Sequence, residues 1–436
     1  MAEVIKEVSE CAACNIQTDD DTDAVTAVNT LSFPRDSVIL PYREGKTIAG
    51  EVCQLTEDID GNKTIRVANT DLPPMGGKTF RYVDAAADAP SAFVYDGNSL
   101  ETPFALISFD EKGFMSSFID KRNNRQIKGN GYSFNTFLMA EDTPYQWENW
   151  DIDSDYEVKL EDAASLVSRE IISNGAVELR IRSKYSISSR SSITQDMVFY
   201  AASPRIDFET RVDWHDKHRL LKAAFDTNIF TNFARQEIQF GYAERPTTRN
   251  NTLEAAKFET LNHKYSDLSE LNYGVSILND CKYGISIYEG SMRLTLLKGG
   301  TKPDPRGDEG VHYMTYSLLP HMGGFSAETV TRQAYDLNYR PIVVDGAKEL
   351  NAFVEISAAN IILETVKPCE TAERAFIARF YECEGNRSTA SVSFNLDATK
   401  FEVVNMLEET IETLNAADMQ QMEFRPFEIK TFKIYY

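Results

Sequence analysis

The strongest constraint on the fold is an alternation of apolar and polar residues with a period of two in the middle of the chain. The apolar side chains of 177–187 share one parity, and the pattern returns in 193–199 and 206–214. Such alternation places apolar side chains on one face of a half-buried strand. Turn-forming residues at 188–192 and 201–205 separate these segments, which predicts an antiparallel meander and not a parallel sheet with crossover helices. We therefore expect an all-β protein.

The distribution of apolar segments divides the 436-residue chain into four predicted units. Residues 1–24 are predicted to form a helix followed by an acidic linker. A three-turn helix at a terminus is marginal alone, so it either docks on its own β domain or is the last helix of a bundle. We predict a small β domain at 25–100, a large β unit at 101–340 and a second, smaller β-sandwich at 341–436.

Charge and composition exclude several classes of partner. Lysine and arginine number 45 against 67 acidic residues, which gives a net charge of −22. A surface this acidic repels phosphate backbones and anionic lipid, so we expect neither nucleic acid nor a membrane as a partner. The sequence has no long apolar run for a transmembrane helix and no apolar core of a signal peptide. With only six cysteines it also lacks a disulfide framework, so we predict a cytoplasmic protein.

The usual short motifs of metal and nucleophile chemistry are missing. Only five histidines occur, and no HExxH, HxD or HxH spacing is present. The CxxC formed by Cys11 and Cys14 has no second ligand pair, and His215 and His218 in WHDKH follow a predicted strand, which does not favour a helical ligand pair. The sequence shows no GxSxG, P-loop or GxGxxG motif in a strand–turn–helix context. We therefore predict no metal site.

Two polar segments are candidates for a functional site, and the first is 141–153. It packs five carboxylates and three large aromatic residues into thirteen positions. Aromatic faces bind the C–H surfaces of sugars, and carboxylates accept hydrogen bonds from their hydroxyls. The segment either lines a carbohydrate site or folds its aromatic side chains onto the sandwich core with the acids in water.

The second candidate is the segment PDPRGDEGVH at 303–312. Its two prolines and two glycines predict a tight, irregular loop between strands. Such a loop is either a solvated turn or a rigid support for a site. Glu309 and His312 are candidates for a base and acid pair.

An ordered set of motifs resembles the C-terminal half of family 38 glycoside hydrolases, the α-mannosidases, and most closely their cytosolic and bacterial type. The set covers nearly the whole chain, and its order matches that of the family. The motifs are NTLSFPR at 29–35, WDID at 150–153, PRIDFETRVDWHDKHRLLKAAF at 204–225, HKYSDLSELNYGVSILNDCKYG at 263–284, PDPRGDEGVHYMTYSLLPH at 303–321, ARFYECEGN at 378–386 and RPFEIKTFKI at 425–434.

The resemblance implies a specific architecture. The small β domain would flank a galactose-mutarotase-like supersandwich, and the last unit would be an immunoglobulin-like sandwich. In the family the NTLSFPR-like motif follows a three-helix bundle, so the first helix would be the remnant of its last helix.

The resemblance also implies an activity, and it implies which domain carries the catalytic residues. Family members hydrolyse α-mannosidic bonds in mannose-containing oligosaccharides with retention, through a covalent intermediate and with a zinc ion. An N-terminal α/β barrel carries the zinc, its ligands and the nucleophile, and no motif here matches that barrel. We therefore expect no catalytic residue, no metal ligand and no cofactor in this chain. The barrel, in the same parent chain or as a separate subunit, would be the partner, and this chain would be inactive alone.

The family arrangement places the large sandwich against the barrel, where it lends residues to the edge of the pocket. We predict that six residues of the two polar segments lie at this rim: Trp150, Asp151, Asp153, Asp304, Asp308 and His312. Two other readings remain open. The chain is a stand-alone carbohydrate-binding module, or it is an independent epimerase or lyase of the mutarotase-like fold that uses Glu309 and His312.

Overall fold

The computed structural model describes residues 16–85 and 89–436. Strands account for 51% of the residues and helices for 6%, so the predicted all-β class is confirmed. The helix predicted near the N-terminus lies outside the described residues.

Six strands form the first unit and build two small antiparallel sheets. They are β1 (Ala24–Val28), β2 (Arg35–Pro41), β3 (Lys46–Ile48), β4 (Val52–Glu57), β5 (Lys63–Leu72) and β6 (Gly77–Asp84). One sheet has the order β2-β5-β4, and the other contains β1, β6 and β3. Val25, Val38, Val67 and Phe80 pack between these sheets as a separate small core.

The large central unit contains twenty strands. They are β7 (Val94–Tyr95), β8 (Ser99–Glu101), β9 (Ala105–Phe109), β10 (Met115–Asp120), β11 (Arg125–Gln126), β12 (Thr136–Glu141), β13 (Glu161–Asp162), β14 (Ser165–Asn174), β15 (Glu178–Ser186), β16 (Ser192–Tyr200), β17 (Ile206–Trp214), β18 (Arg219–Asp226), β19 (Phe233–Ile238), β20 (Gly241–Pro246), β21 (Thr260–Leu261), β22 (Tyr265–Ser269), β23 (Tyr273–Asn279), β24 (Gly284–Tyr288), β25 (Ser291–Lys298) and β26 (Gly310–Met322).

Three antiparallel sheets organise these strands. A nine-stranded sheet has the order β14-β15-β16-β17-β26-β23-β22-β19-β20, a six-stranded sheet has the order β13-β12-β18-β25-β24-β21, and β11-β10-β9-β8-β7 form the third. The predicted meander is confirmed, because β15, β16 and β17 pair in sequence order with continuous register. One large core, including Phe137, Phe208, Trp214 and Phe225, connects the sheets.

A closed ring of three hydrogen bonds crosses this core. Nδ2 of Asn135 donates to Oε1 of Gln195 at 2.6 Å, and Nε2 of Gln195 donates to the hydroxyl of Tyr316 at 2.8 Å. The Tyr316 hydroxyl then donates to Oδ1 of Asn135 at 2.6 Å. All three residues are fully buried. The ring therefore satisfies polar groups that burial would otherwise leave unpaired, and it fixes the two large sheets against each other.

Ten strands follow, and most of them build the C-terminal sandwich. They are β27 (Ile342–Asp345), β28 (Val354–Ile356), β29 (Ile361–Pro368), β30 (Ala375–Glu382), β31 (Ser388–Ala390), β32 (Val392–Phe394), β33 (Lys400–Val404), β34 (Thr410–Leu414), β35 (Met422–Phe424) and β36 (Ile429–Tyr435). A five-stranded sheet, β29-β30-β36-β33-β34, packs with the pairs β28-β32 and β31-β35. The exception is β27, which pairs with β1 and extends the sheet of the first unit.

Helices are short throughout the described part of the chain. They are a 3₁₀ turn (Ser154–Lys159), α1 (Thr252–Ala255), a π turn (Ala327–Thr331), α2 (Arg332–Asn338) and a second 3₁₀ turn (Asp418–Gln420). Within residues 16–85 and 89–436, no helix has the length and apolar character needed to cross a membrane.

Buried ion pairs join the units. Nη2 of Arg35, in the NTLSFPR motif, lies 2.7 Å from Oδ1 of Asp336 on α2. Nε of Arg66 on β5 lies 2.6 Å from Oε2 of Glu178 on β15. Arg35, Arg66 and Glu178 are buried, and the Asp336 side chain is 20% exposed. Loss of one partner would therefore leave a buried charge uncompensated. These pairs therefore fix the first unit on the large sandwich.

Candidate functional site

Three loops meet at one end of the large sandwich. The first, 142–153, follows β12, the second, 215–218, connects β17 to β18, and the third, 299–309, connects β25 to β26. Because β12, β18 and β25 are adjacent in one sheet and β17 and β26 in the other, these loops are neighbours in space. The structure thus brings the two predicted polar segments together and adds the WHDKH loop.

Glu148 connects the first loop to the third. Its Oε2 accepts hydrogen bonds from the amide and the hydroxyl of Thr301, at 2.9 and 2.6 Å. These hydrogen bonds lower the pKa of Glu148. The amide of Asn149 also donates to the carbonyl of Lys302 at 3.1 Å. The loops approach so closely at Gly300 that a Cβ there would lie 2.9 Å from the backbone carbonyl of Glu148, which explains the glycine at this position.

Lys298 is a second connection between the loops. Its Nζ lies 2.8 Å from Oδ2 of the buried Asp142 and also donates to the carbonyl of Asp151. Its amide donates to Oδ2 of Asp308 at 3.0 Å. Burial raises the pKa of Asp142, an effect that Lys298 opposes. Lys298, at the end of β25, therefore contacts Asp142 and Asp151 of the first predicted segment and Asp308 of the second.

The three aromatic side chains of the first loop point into solvent. Tyr145 is 90% exposed, Trp147 63% and Trp150 71%, and the rings of the two tryptophans are 6.0 Å apart. Trp147 has a φ of +60°, and its carbonyl accepts the amides of Trp150 and Asp151 at 2.7 and 2.9 Å. The alternative in which these aromatics fold onto the core is wrong. The loop presents them on a hydrogen-bonded turn with a left-handed residue, a conformation that tends to occur at functional sites.

The aspartates predicted in the first loop support this turn. Trp150 and Asp151 are exposed, and Oδ1 of Asp151 accepts the amide of Ile152 at 2.9 Å. Oδ2 of Asp153 accepts the amide of Tyr145 at 3.0 Å. Asp153 therefore helps to hold Tyr145 in its exposed position.

The predicted residues of the third loop also make local contacts. Oδ1 of Asp304 accepts the amide of Arg306 at 2.9 Å. Nε2 of His312 lies 2.6 Å from the carbonyl of Asp308. Glu309 faces His215, with its Oε1 3.7 Å from Nδ1. The structure therefore places the Glu309 carboxylate beside His215 and the His312 ring on the Asp308 backbone, so the two side chains have different partners.

The WHDKH loop is the element that sequence reasoning missed as part of this cluster. Nε2 of His215 is 2.8 Å from Oδ1 of Asp213, and Nδ1 of His218 is 3.7 Å from Oε2 of Glu148. The motif is visible in the sequence, where its two histidines suggest only a pair of metal ligands. Across residues 16–85 and 89–436, no group of three or more His, Cys, Asp or Glu side chains is arranged to hold a metal ion.

Comparison with protein families identifies these domains. Residues 100–306 match the family described as "Glycosyl hydrolases family 38 C-terminal domain", and residues 360–432 match "Glycosyl hydrolases family 38 C-terminal beta sandwich domain". The chain belongs to glycosyl hydrolase family 38. The resemblance noted in the sequence and the C-terminal β-sandwich are thereby confirmed.

Curated relatives of this family 38 chain are α-mannosidases. It is 34% identical to α-mannosidase G of Dictyostelium discoideum over 352 residues, which are 77% of this chain and 32% of that protein. It is 32% identical to the α-mannosidase of Saccharomyces cerevisiae over 364 residues, which are 76% of this chain and 33% of that protein. The chain therefore spans about a third of the length of these relatives, and it matches the C-terminal domains of their family.

A solved structure supports the same fold. The crystal structure of an α-mannosidase from Enterococcus faecalis V583 superimposes with a TM-score of 0.76 at 14% sequence identity. The match covers 100% of this chain and 58% of that protein. At this identity the comparison establishes the arrangement of the β domains.

Proposed function

We propose that this chain forms the C-terminal β portion of a retaining, zinc-dependent α-mannosidase that hydrolyses α-mannosidic bonds in mannose-containing oligosaccharides. Its partner is an N-terminal catalytic barrel, in the same protein or as a separate subunit. The family resemblance supports a barrel that holds the zinc ion and the nucleophile. The β domains stabilise the barrel and complete the rim of its pocket.

The observation that carries this proposal is the loop cluster at the end of the large sandwich. The first loop exposes three aromatic side chains: Tyr145, Trp147 and Trp150. Hydrogen bonds of Glu148 and Lys298 hold this loop against the third loop and the end of β25. Exposed aromatic faces on a rigid support suit contact with the C–H faces of a sugar or with an apolar surface of a partner domain. Trp150, Asp151, Asp153, Asp304, Asp308 and His312 are our candidates for the pocket rim.

The test combines this chain with a family 38 catalytic barrel, joined or in trans, and follows hydrolysis of an aryl α-mannoside with added zinc. We expect no turnover by the chain alone and turnover by the combination. Trp150→Ala should lower kcat/KM of the combination, whereas Ile411→Ala, which removes another exposed apolar side chain, should not. Turnover by the purified chain alone with zinc or cobalt would refute the proposal.

A second function is a stand-alone carbohydrate-binding module, and the same exposed tryptophans favour it. Calorimetry with mannose oligosaccharides discriminates between the two. Tight binding by the chain without a barrel, lost in Trp150→Ala, supports the binding module. Weak or no binding at this loop, together with barrel-dependent activity, supports the α-mannosidase role.

We also propose that the protein works in the cytoplasm. The four cysteines in the described part of the chain, Cys53, Cys281, Cys369 and Cys383, are free thiols. Free thiols are typical of reducing compartments. Fractionation of the native host cell tests the location.

A further inference from the structure

A groove of about 890 Å³ opens where the large sandwich meets the C-terminal sandwich. It lies at the far end of β26 from the loop cluster, since that strand runs 13 residues from Gly310 beside the third loop to Met322 beside the groove. At about 3.3 Å per residue the separation is roughly 40 Å. Side chains from both sandwiches line it, among them Phe230, Arg235, Leu271, Asn272, Phe325 and Asn386.

Phe230 forms an exposed aromatic platform at the edge of this groove. Its side chain is 85% exposed. Its amide donates to Oε1 of Glu270 at 3.0 Å, and both Glu270 oxygens pair with Arg125 at 2.8 Å. Arg125 also donates to the carbonyl of Asn228 at 2.9 Å. The backbone that carries the exposed ring is therefore fixed, which reduces the entropy lost when a ligand stacks on it.

Two aromatic side chains of the lining, Tyr242 and Phe325, are equally fixed. Tyr242 contacts Phe325 and Phe427 edge-on, with ring centroids 5.2 Å apart in each pair. The Tyr242 hydroxyl donates to the carbonyl of Glu384 at 3.0 Å. The aromatic part of the lining thus offers an apolar surface, and the hydroxyl of Tyr242 already has a hydrogen-bond partner.

The charged side chains of the groove are occupied by internal partners. Nη2 of Arg235 lies 3.0 Å from Oε1 of Glu244, and Glu270 is paired with Arg125. Glu384 accepts the amide of Ala327 and the side-chain amide of Asn386, at 2.5 and 2.9 Å. Arg235 and Glu270 therefore have oppositely charged partners, whereas Glu384 accepts only from amides and keeps a negative charge at the groove. These pairings leave carboxylate lone pairs and amide groups that exchange hydrogen bonds with hydroxyls.

We propose that this groove is a second carbohydrate site, one that binds a neutral oligosaccharide. Its volume lies within the range of small-ligand sites, which often form at domain junctions. The C–H face of one sugar unit stacks on Phe230, and its hydroxyls bond to Asn272, Asn386 and the Glu270 carboxylate. An anionic saccharide is disfavoured because Glu270 and Glu384 face the groove.

The test measures binding of α-mannotriose, maltotriose and cellotriose by saturation-transfer NMR and calorimetry. The full chain carries Trp150→Ala in these measurements, so that the loop cluster does not contribute. We expect binding of at least one trisaccharide. Phe230→Ala should weaken it about tenfold, the size of a lost aromatic contact, and Phe230→Tyr should retain it.

A second variant fills the groove and leaves its polar side chains in place. A Cβ on Gly324 would meet only the carbonyls of Glu270 and Leu271, at 3.4 and 3.6 Å. Gly324→Leu should therefore fold, which thermal unfolding checks, and should abolish binding. Ile411→Ala, an exposed residue of β34 outside the lining of the groove, is the control that should leave affinity unchanged.

Two results would overturn the proposal. One is failure of all three trisaccharides to bind, and the other is binding that survives both Phe230→Ala and Gly324→Leu. Neither result depends on hydrolysis of an aryl α-mannoside with a catalytic barrel. The groove and the α-mannosidase role are therefore tested separately.

Discussion

The carboxylate of Glu148 accepts both the amide and the hydroxyl of Thr301, two residues that lie 153 positions apart in the sequence. These two hydrogen bonds to one carboxylate oxygen join two loops that belong to different strand connections into one surface. Hydrogen bonds to a charged acceptor are stronger than neutral ones. The exposed tryptophans of the first loop therefore rest on the third loop and do not extend freely into solvent.

Substitution of Gly300 by alanine should separate these loops. The new Cβ would lie 2.9 Å from the carbonyl of Glu148, a backbone atom that must then move. We expect the Thr301 amide to lose protection by about tenfold or more in hydrogen exchange, since the hydrogen bond that it donates is worth about 1.5–3 kcal/mol. Exchange mass spectrometry of peptides that cover 299–309 measures this.

Gly324→Ala is the matched control for this change, because its Cβ has ordinary contacts of 3.4 Å or more. In Gly324→Ala, hydrogen exchange of residues 299–309 should be the same as in wild type. Equal protection in Gly300→Ala and wild type would show that the loops are not held by this close approach.

The hydrogen-bonded ring in the core predicts a loss of stability in Tyr316→Phe. Without the hydroxyl, Oδ1 of Asn135 loses its donor and Nε2 of Gln195 loses an acceptor in a fully buried site. An unsatisfied buried polar group costs about 1–3 kcal/mol. The midpoint of urea unfolding, followed by fluorescence of the buried Trp214, should therefore fall.

Tyr313→Phe supplies the comparison for Tyr316→Phe. Tyr313 is on the same strand, but its side chain is exposed and its hydroxyl bonds to Asp60 at the surface. We expect its unfolding midpoint to match that of wild type. A Tyr316→Phe protein as stable as Tyr313→Phe would mean that the ring adds nothing to stability.

The period-two pattern predicted the strands of the meander but not what covers them. Arg180 alternates with the apolar residues of β15, so the pattern predicts that it faces solvent. It is instead fully buried beside Glu178. The β2-β5-β4 sheet covers that face, and its Arg66 pairs with Glu178 there. The two strands are more than a hundred residues apart in the sequence, so their contact does not alter the alternation of apolar and polar residues in either strand.

The same limit applied to the candidate site. Local composition marked 141–153 and 303–312 as polar loops, because aromatic and acidic residues or prolines and glycines are concentrated there. The sequence did not reveal that Glu148 reaches Thr301 or that the WHDKH loop lies beside both. Such contacts follow from the strand order of the sheets, which only the folded structure provides.

Glu178 is the centre of the buried charge network, so Glu178→Gln should strongly destabilise the protein. The carboxylate pairs with Arg66 at 2.6 Å and with Arg180 at 3.1 Å. Removing one partner of a buried ion pair costs about 3–5 kcal/mol. Here Arg66 would lose its carboxylate partner, whereas Arg180 keeps Asp196 and Glu209. The midpoint of urea unfolding should be lower in Glu178→Gln than in wild type. Glu101→Gln, which removes the exposed ion pair with Lys121, should have the wild-type midpoint. Equal midpoints for the two variants would contradict the role of the network.

The ionisation of Glu178 should also make the stability of the protein depend on pH. Burial favours a raised pKa, but Arg66 and Arg180 outweigh it and lower the pKa of Glu178 to about 2. Because the unfolded chain has an ordinary glutamate pKa of about 4.3, the unfolded state binds this proton first as the pH falls. The stabilisation is therefore complete above about pH 4.5 and is lost between about pH 4 and 2, by about 3 kcal/mol. Unfolding midpoints of wild type and Glu178→Gln, measured from pH 7 to pH 2, should converge in this window, whereas Glu101→Gln should follow wild type throughout. A constant gap between wild type and Glu178→Gln would show that Glu178 does not titrate with a depressed pKa.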